Sequence, residues 1–111
     1  MEFGLPDSTL ATVRQILAAC PQVETAILYG SRAKGNYKPG SDIDLTLTGD
    51  GLGYAELSRI ADALEESDIP YQVDLSILAQ IENPNLREHI QRVGKVFYRQ
   101  ESKSVAAEGV L

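Results

Sequence analysis

The sequence predicts a small α/β (α+β) domain: a mixed sheet with helices on one face and an open, polar face on the other. Three observations carry that expectation. Helical and strand periodicities alternate along a chain of 111 residues, a length that suits one domain with a real core and not two. Segments 42–48 and 70–77 alternate polar and apolar residues with the period of a half-buried strand. The helix-like segment between them permits a right-handed crossover, which makes those two strands parallel and brings their polar faces together.

The elements follow in order. Residues 1–6 read as an irregular leader. A helix is expected over about 8–20, capped by Asp7 or Ser8, with Leu10, Val13, Leu17 and Cys20 on one face and Pro21 ending it. Strand one is expected at 23–29, and 31–36 as a short helical turn. Strand two, 42–48, presents Asp42, Asp44, Thr46 and Thr48 on one side and Ile43, Leu45 and Leu47 on the other. Gly49-Asp50-Gly51 turns the chain into a helix at 53–67 with the stripe Leu57, Ile60, Ala61, Leu64; its acidic residues Asp62, Glu65 and Glu66 read as a solvated face. Strand three, 70–77, turns Tyr71, Val73, Leu75 and Ile77 one way and Gln72, Asp74 and Ser76 the other. A helix at 84–93 has Asn83 as N-cap, Pro84 in its first turn and Gly94 beyond its end. An edge strand is expected at 96–99. Residues 1–100 thus form the domain, and 101–111 read as a disordered polar tail.

Composition narrows the function classes. With 43% hydrophobic and 23% charged residues, the chain reads as a soluble globular protein. A formal charge of −6 argues against an extended nucleic-acid-binding face, which needs clustered Lys and Arg. The lone Cys20 reads as a packed thiol in a reducing compartment. No membrane span or signal pattern is visible, so a cytoplasmic location is expected.

The chemistry concentrates between Tyr29 and Leu47. An apolar strand ends at Gly30-Ser31, and a basic, glycine-punctuated loop leads to Asp42 and Asp44. These two carboxylates share a strand face, roughly 7 Å apart along the chain. Like charges about 4 Å apart repel by about 4 kcal/mol at an effective dielectric of about 20, so the arrangement asks for a cation. Oxygen-only ligands suit Mg²⁺ or Mn²⁺. The Gly30-Ser31 turn offers N–H groups and a hydroxyl to a phosphate, with Arg32 and Lys34 as candidate triphosphate contacts. Asp74, on the coincident face of strand three, becomes the third carboxylate. Tyr29 and Tyr37 read as packing before base stacking, and His89 as a boundary residue of its helix. A Walker A loop is excluded, because Asn36-Tyr37 stands where Lys-Ser/Thr is needed.

Gly30-Ser31, ten intervening residues and Asp42-Ile43-Asp44 resemble the signature of the DNA polymerase beta-like nucleotidyltransferase superfamily. The fuller form, Gly-Ser-Arg-Ala-Lys-Gly then Ser-Asp-Ile-Asp-Leu, is similar to the minimal nucleotidyltransferases, antitoxin partners of HEPN-domain toxins. The resemblance covers about residues 8–99. It implies that Asp42, Asp44 and Asp74 hold two Mg²⁺ ions and that Gly30 and Ser31 hold the triphosphate of ATP or another NTP. An acceptor hydroxyl, on a HEPN toxin, would then receive AMP or another NMP. Transfer to a small molecule or an RNA end, or neutralisation of a toxin by contact alone, stays open at this level.

Overall fold

The computed structural model describes residues 1–100. Its elements are α1 (Asp7–Ala18), β1 (Thr25–Tyr29), α2 (Ser31–Lys34), β2 (Ile43–Thr48), α3 (Tyr54–Glu66), β3 (Val73–Ile77), α4 (Pro84–Val93) and β4 (Lys95–Arg99). A single 3₁₀ turn, Leu78–Gln80, follows β3. The four strands form one sheet in the order β3-β2-β1-β4. β1 runs antiparallel to β2 and to β4, whereas β2 and β3 are parallel, joined through α3. The mixed sheet and the crossover are as expected. The expected tail, 101–111, lies outside the described residues.

The periodicities explain the packing. Leu10, Val13 and Leu17 of α1 and Ile60 and Leu64 of α3 are buried on Ala26, Leu28, Ile43, Leu45 and Leu47 of the two central strands. Fully burying a side chain of this size contributes roughly 1.5–3 kcal/mol, so this layer is a major source of stability. α4 begins where Asn83 Oδ1 accepts from the backbone N–H groups of Asn85 (2.9 Å) and Leu86 (3.3 Å), with Pro84 at its first position. α3 has half of a capping box: Glu56 accepts from the Gly53 N–H at 2.9 Å, and Gly53 has no side chain to reciprocate.

Four details depart from expectation. Neither Asp7 nor Ser8 caps α1; Pro6 holds the cap position without a side-chain hydrogen bond. Cys20 falls beyond the helix, which ends at Ala18, and its thiol donates to Gln22 Oε1 at 3.4 Å. The first six residues are not a leader but a turn, in which Glu2 bridges Leu5 and Leu5 is fully buried. Finally, the helices do not all lie on one face. α4 crosses the other face beside β1, where Ile90 is buried and Gly94 lies so close to Ile27 that an added Cβ would stand 2.8 Å from Ile27 Cγ2. The amphipathic stripe of α4 needs an apolar surface, and Ile27 supplies it on an otherwise polar side. The open part of that face is therefore limited to β2 and β3.

Candidate active site

Sheet register assembles the site. Asp44 of β2 lies directly beside Asp74 of β3 and directly opposite Tyr29 of β1. Residues opposite one another on paired strands share a face, so Tyr29, Asp44 and Asp74 form one row across three strands. Asp42 sits just before β2, with its backbone position bounded by Ile43, whose N–H donates to Gln72 O at 2.9 Å. Asp42 and Asp74 are exposed and Asp44 half-buried.

The electrostatics of the row are only partly relieved. Burial pushes the Asp44 carboxyl above the ordinary carboxylate range, the charges of Asp74 and then Asp42 push it further, and His89 pulls it partly back. The Tyr29 phenol is likewise raised by burial, with Asp74 and Asp44 adding to the effect. Ser76 Oγ comes near enough to oppose that rise, but makes no hydrogen bond of sound geometry. His89 meets Tyr29 edge-on, ring centroids 6.3 Å apart. One step further along the strands, Thr46 and Ser76 are register partners, and their hydroxyl oxygens are buried without a partner. Neither hydroxyl was singled out by the sequence pattern, although both lie on the polar face it defines.

Gly30 ends β1 at φ +77°, ψ −156°, a region essentially closed to other residues. It also faces Asp44: a Cβ at this position would lie 2.3 Å from Asp44 Oδ2. The turn is thus built around the carboxylate. Ser31 opens α2 half-exposed, and Lys34 is exposed on its last turn.

Arg32 departs from expectation. It is 2% exposed and its donors are spent on the backbone carbonyls of Phe3, Gly4, Pro39 and Ser41. A guanidinium so committed has no N–H left for a triphosphate; the reading of Arg32 as a phosphate contact is corrected to one of an internal clamp.

The donor set is oxygen-only and fits a hard divalent cation. Asp44 and Asp74 are neighbours by register. Among the described residues, however, no three His, Cys, Asp or Glu groups converge closely enough to hold an ion as they stand. Asp42, as an exposed side chain, is free to change rotamer.

Among the described residues no helix is long and apolar enough to cross a membrane. Comparison with known proteins agrees with the fold. The chain is 33% identical over 101 residues, 90% of its length and 88% of the relative's, to a probable protein adenylyltransferase MntA of Haemophilus influenzae. Its fold is similar to that of a toxin–antitoxin crystal structure with AMP-PNP (TM-score 0.66, 22% identity, 85% of this chain and 76% of that one). It is also similar to a structure of a tri-AMPylated Shewanella oneidensis HEPN toxin in complex with its MNT antitoxin (TM-score 0.61, 19% identity, 89% and 76%). The profile of the family described as Polymerase beta, Nucleotidyltransferase matches residues 11–103, and the chain belongs to that family.

Proposed function

We propose that the chain transfers a nucleoside monophosphate, AMP before others, from an NTP to a hydroxyl on a partner protein, and that it serves as the antitoxin of a HEPN-domain toxin. The observation that carries the chemistry is the register that sets Asp44 beside Asp74 with the Gly30 turn closed against Asp44. The similarity to MntA and to antitoxin complexes supports the choice of nucleotide and partner.

Asp42, Asp44 and Asp74 would hold Mg²⁺, or Mn²⁺ in its place. When bound, two such ions lower the pKa of an acceptor hydroxyl and neutralise charge on the triphosphate and its leaving group. The chain's own residues do the placing. Gly30 and Ser31 present first-turn N–H groups, which lack intrahelical acceptors, and the Ser31 hydroxyl to the β- and γ-phosphates. Exposed Lys34 adds a cation beside them. The acceptor oxygen attacks the α-phosphorus, the bond from that phosphorus to the bridging oxygen of the β-phosphate breaks, and pyrophosphate leaves. Asp74, exposed on the open side of the row, takes the hydroxyl proton. Little else is needed, because positioning and charge stabilisation supply most of the catalysis in such transfers.

The test pairs the protein with a HEPN-domain protein as the candidate acceptor. Label from α-³²P-ATP is expected on the HEPN protein with wild type and Mg²⁺. A double variant, Asp42→Asn with Asp44→Asn, should still capture that partner in a pull-down yet leave it unlabelled. Equal labelling by the double variant sinks the site; loss of capture contradicts the separation of binding from chemistry.

A further inference from the structure

We propose that Arg32 is a positioning residue for the carboxylate cluster, a buried cation that locks the segment carrying Asp42 to the turn carrying Gly30-Ser31. This rests on the transferase reading above for its consequence, and on geometry alone for the lock.

Arg32 is among the largest fully buried side chains of the protein, and no carboxylate pairs with it among the described residues. Its charge is instead met by carbonyl dipoles. Nε and Nη2 both donate to Ser41 O, at 3.0 and 2.9 Å. Nη2 also donates to Pro39 O at 3.2 Å, and Nη1 to Phe3 O at 2.9 Å and Gly4 O at 3.4 Å. Two aromatic faces close the remaining sides, Tyr37 and Tyr71, each with its ring centre 5.1 Å from the guanidinium carbon.

The anchor points decide what the clamp does. Ser41 immediately precedes Asp42, and Ile43 immediately follows it. Ser41 is pinned by Arg32 and by its own turn, in which Ser41 N–H donates to Lys38 O and Lys38 N–H donates to Ser41 Oγ. Ile43 is pinned to Gln72 O. Asp42 is thereby held at both ends of its backbone while its side chain stays free. Arg32 itself lies one residue beyond Ser31, so movement of the carboxylate loop relative to the phosphate turn has to break the guanidinium contacts. The first turn of the chain takes part: Phe3 accepts from Arg32 and stacks on Phe97, centroids 6.0 Å apart.

Lysine keeps the charge but not the planar fork, so Arg32→Lys separates the two. Residues that support metal ligands typically cost 10–100-fold in metal affinity when changed. Free Mn²⁺ followed by electron paramagnetic resonance should show affinity falling about tenfold or more in Arg32→Lys. Hydrogen exchange should quicken at the Lys38 and Ser41 amides while α1 and α3 keep their protection. In the labelling assay, the Mg²⁺ concentration for half-maximal rate should rise, with the rate at saturating Mg²⁺ returning close to wild type.

Should Arg32→Lys fail to fold, Tyr37→Leu removes one aromatic face and should shift exchange and Mn²⁺ affinity the same way, with Tyr37→Phe restoring both. Unchanged loop exchange and unchanged Mn²⁺ affinity in a folded variant overturn the proposal. So does a uniform rise in exchange across the protein with Mn²⁺ affinity unchanged, which marks a merely stabilising residue. Wild type that binds Mn²⁺ but transfers nothing sinks the transferase reading and leaves the clamp to be judged on exchange and affinity. Wild type that binds no Mn²⁺ overturns both that reading and the positioning role.

Discussion

Arg32 and Asp44 stand a dozen residues apart, and the fold treats their charges in opposite ways. Arg32 is almost wholly buried and answered on every side by carbonyls and rings. Asp44 is half-buried beside two charges of its own sign, and His89, which opposes them, is the smallest influence on it. A buried charge is tolerated when its partners are complete. Where partners are missing, the protein holds the group in a state that only a ligand relieves. The satisfied charge belongs to the scaffold; on the proposed reading, the frustrated one is where metal and nucleotide bind.

The contrast is sharpest in activity. Asp44→Asn should stay folded and lose nucleotidyl transfer by at least about a hundredfold, since preorganised charge at the reacting centre is worth that much or more; the initial rate of label transfer measures it. The reverse pattern is expected at the clamp. Arg32→Met leaves buried carbonyls without donors, at roughly 1–3 kcal/mol each, so chemical denaturation should show about 3 kcal/mol or more of lost stability. Two charge removals with similar effects on stability would dissolve the distinction between them.

Gly30→Ala probes the seam between the two regions. A Cβ there meets Asp44 Oδ2 on a backbone that costs about 1–3 kcal/mol for a residue other than glycine. Stability should fall by about that amount, and Mn²⁺ affinity with it. Thr46→Val should do the opposite. The Thr46 hydroxyl is buried and unpartnered, so the near-isosteric apolar side chain should raise stability by up to about 1 kcal/mol; a loss of stability means that the hydroxyl is satisfied in solution.

The smallest effect is in pH. The folded-state pKa of Asp44 lies above its ordinary value of 3.8, so the folded chain binds the proton more tightly than the unfolded one. Asp44 therefore weakens the metal-free fold fully above its raised pKa, and this penalty disappears as pH falls through it. Asp44→Asn should melt slightly above wild type at neutral pH without metal, the gap closing on acidification and absent near and below about 3.8. A variant that melts below wild type at neutral pH, with the deficit closing on acidification, means that Asp44 is a structural cap.

Much of this was legible in the sequence because it depends on period. The alternation of Asp42, Asp44, Gln72 and Asp74 with apolar residues sets which face each carboxylate takes, and the crossover through α3 sets β2 beside β3. The actual register, Asp44 on Asp74, agrees with that face matching. Arg32 was misplaced because a basic residue in a glycine-rich loop reads the same whether it points at a ligand or inward. Only the distant carbonyls of Phe3 and Gly4 decide between them, and contacts across the chain leave no local pattern. The first turn escapes local pattern for the same reason, although Phe3 and Leu5 flanking Gly4 are an apolar signal. α4 was assigned correctly as a helix and to the wrong face, since Ile27 is one apolar residue on a side otherwise read as polar.

That placement of α4 has a further meaning for how a substrate arrives. With Ile90 and His89 seated over β1, the row from Tyr29 to Asp74 is a shelf walled along one edge and, among the described residues, bare along the other, above β3. A shelf does not exclude water; whatever docks on it has to bring the missing wall. On the proposed reading that wall is the surface of the acceptor protein itself. The partner's surface then completes the enclosure of the reacting groups, and selectivity is set by the fit of one surface to another.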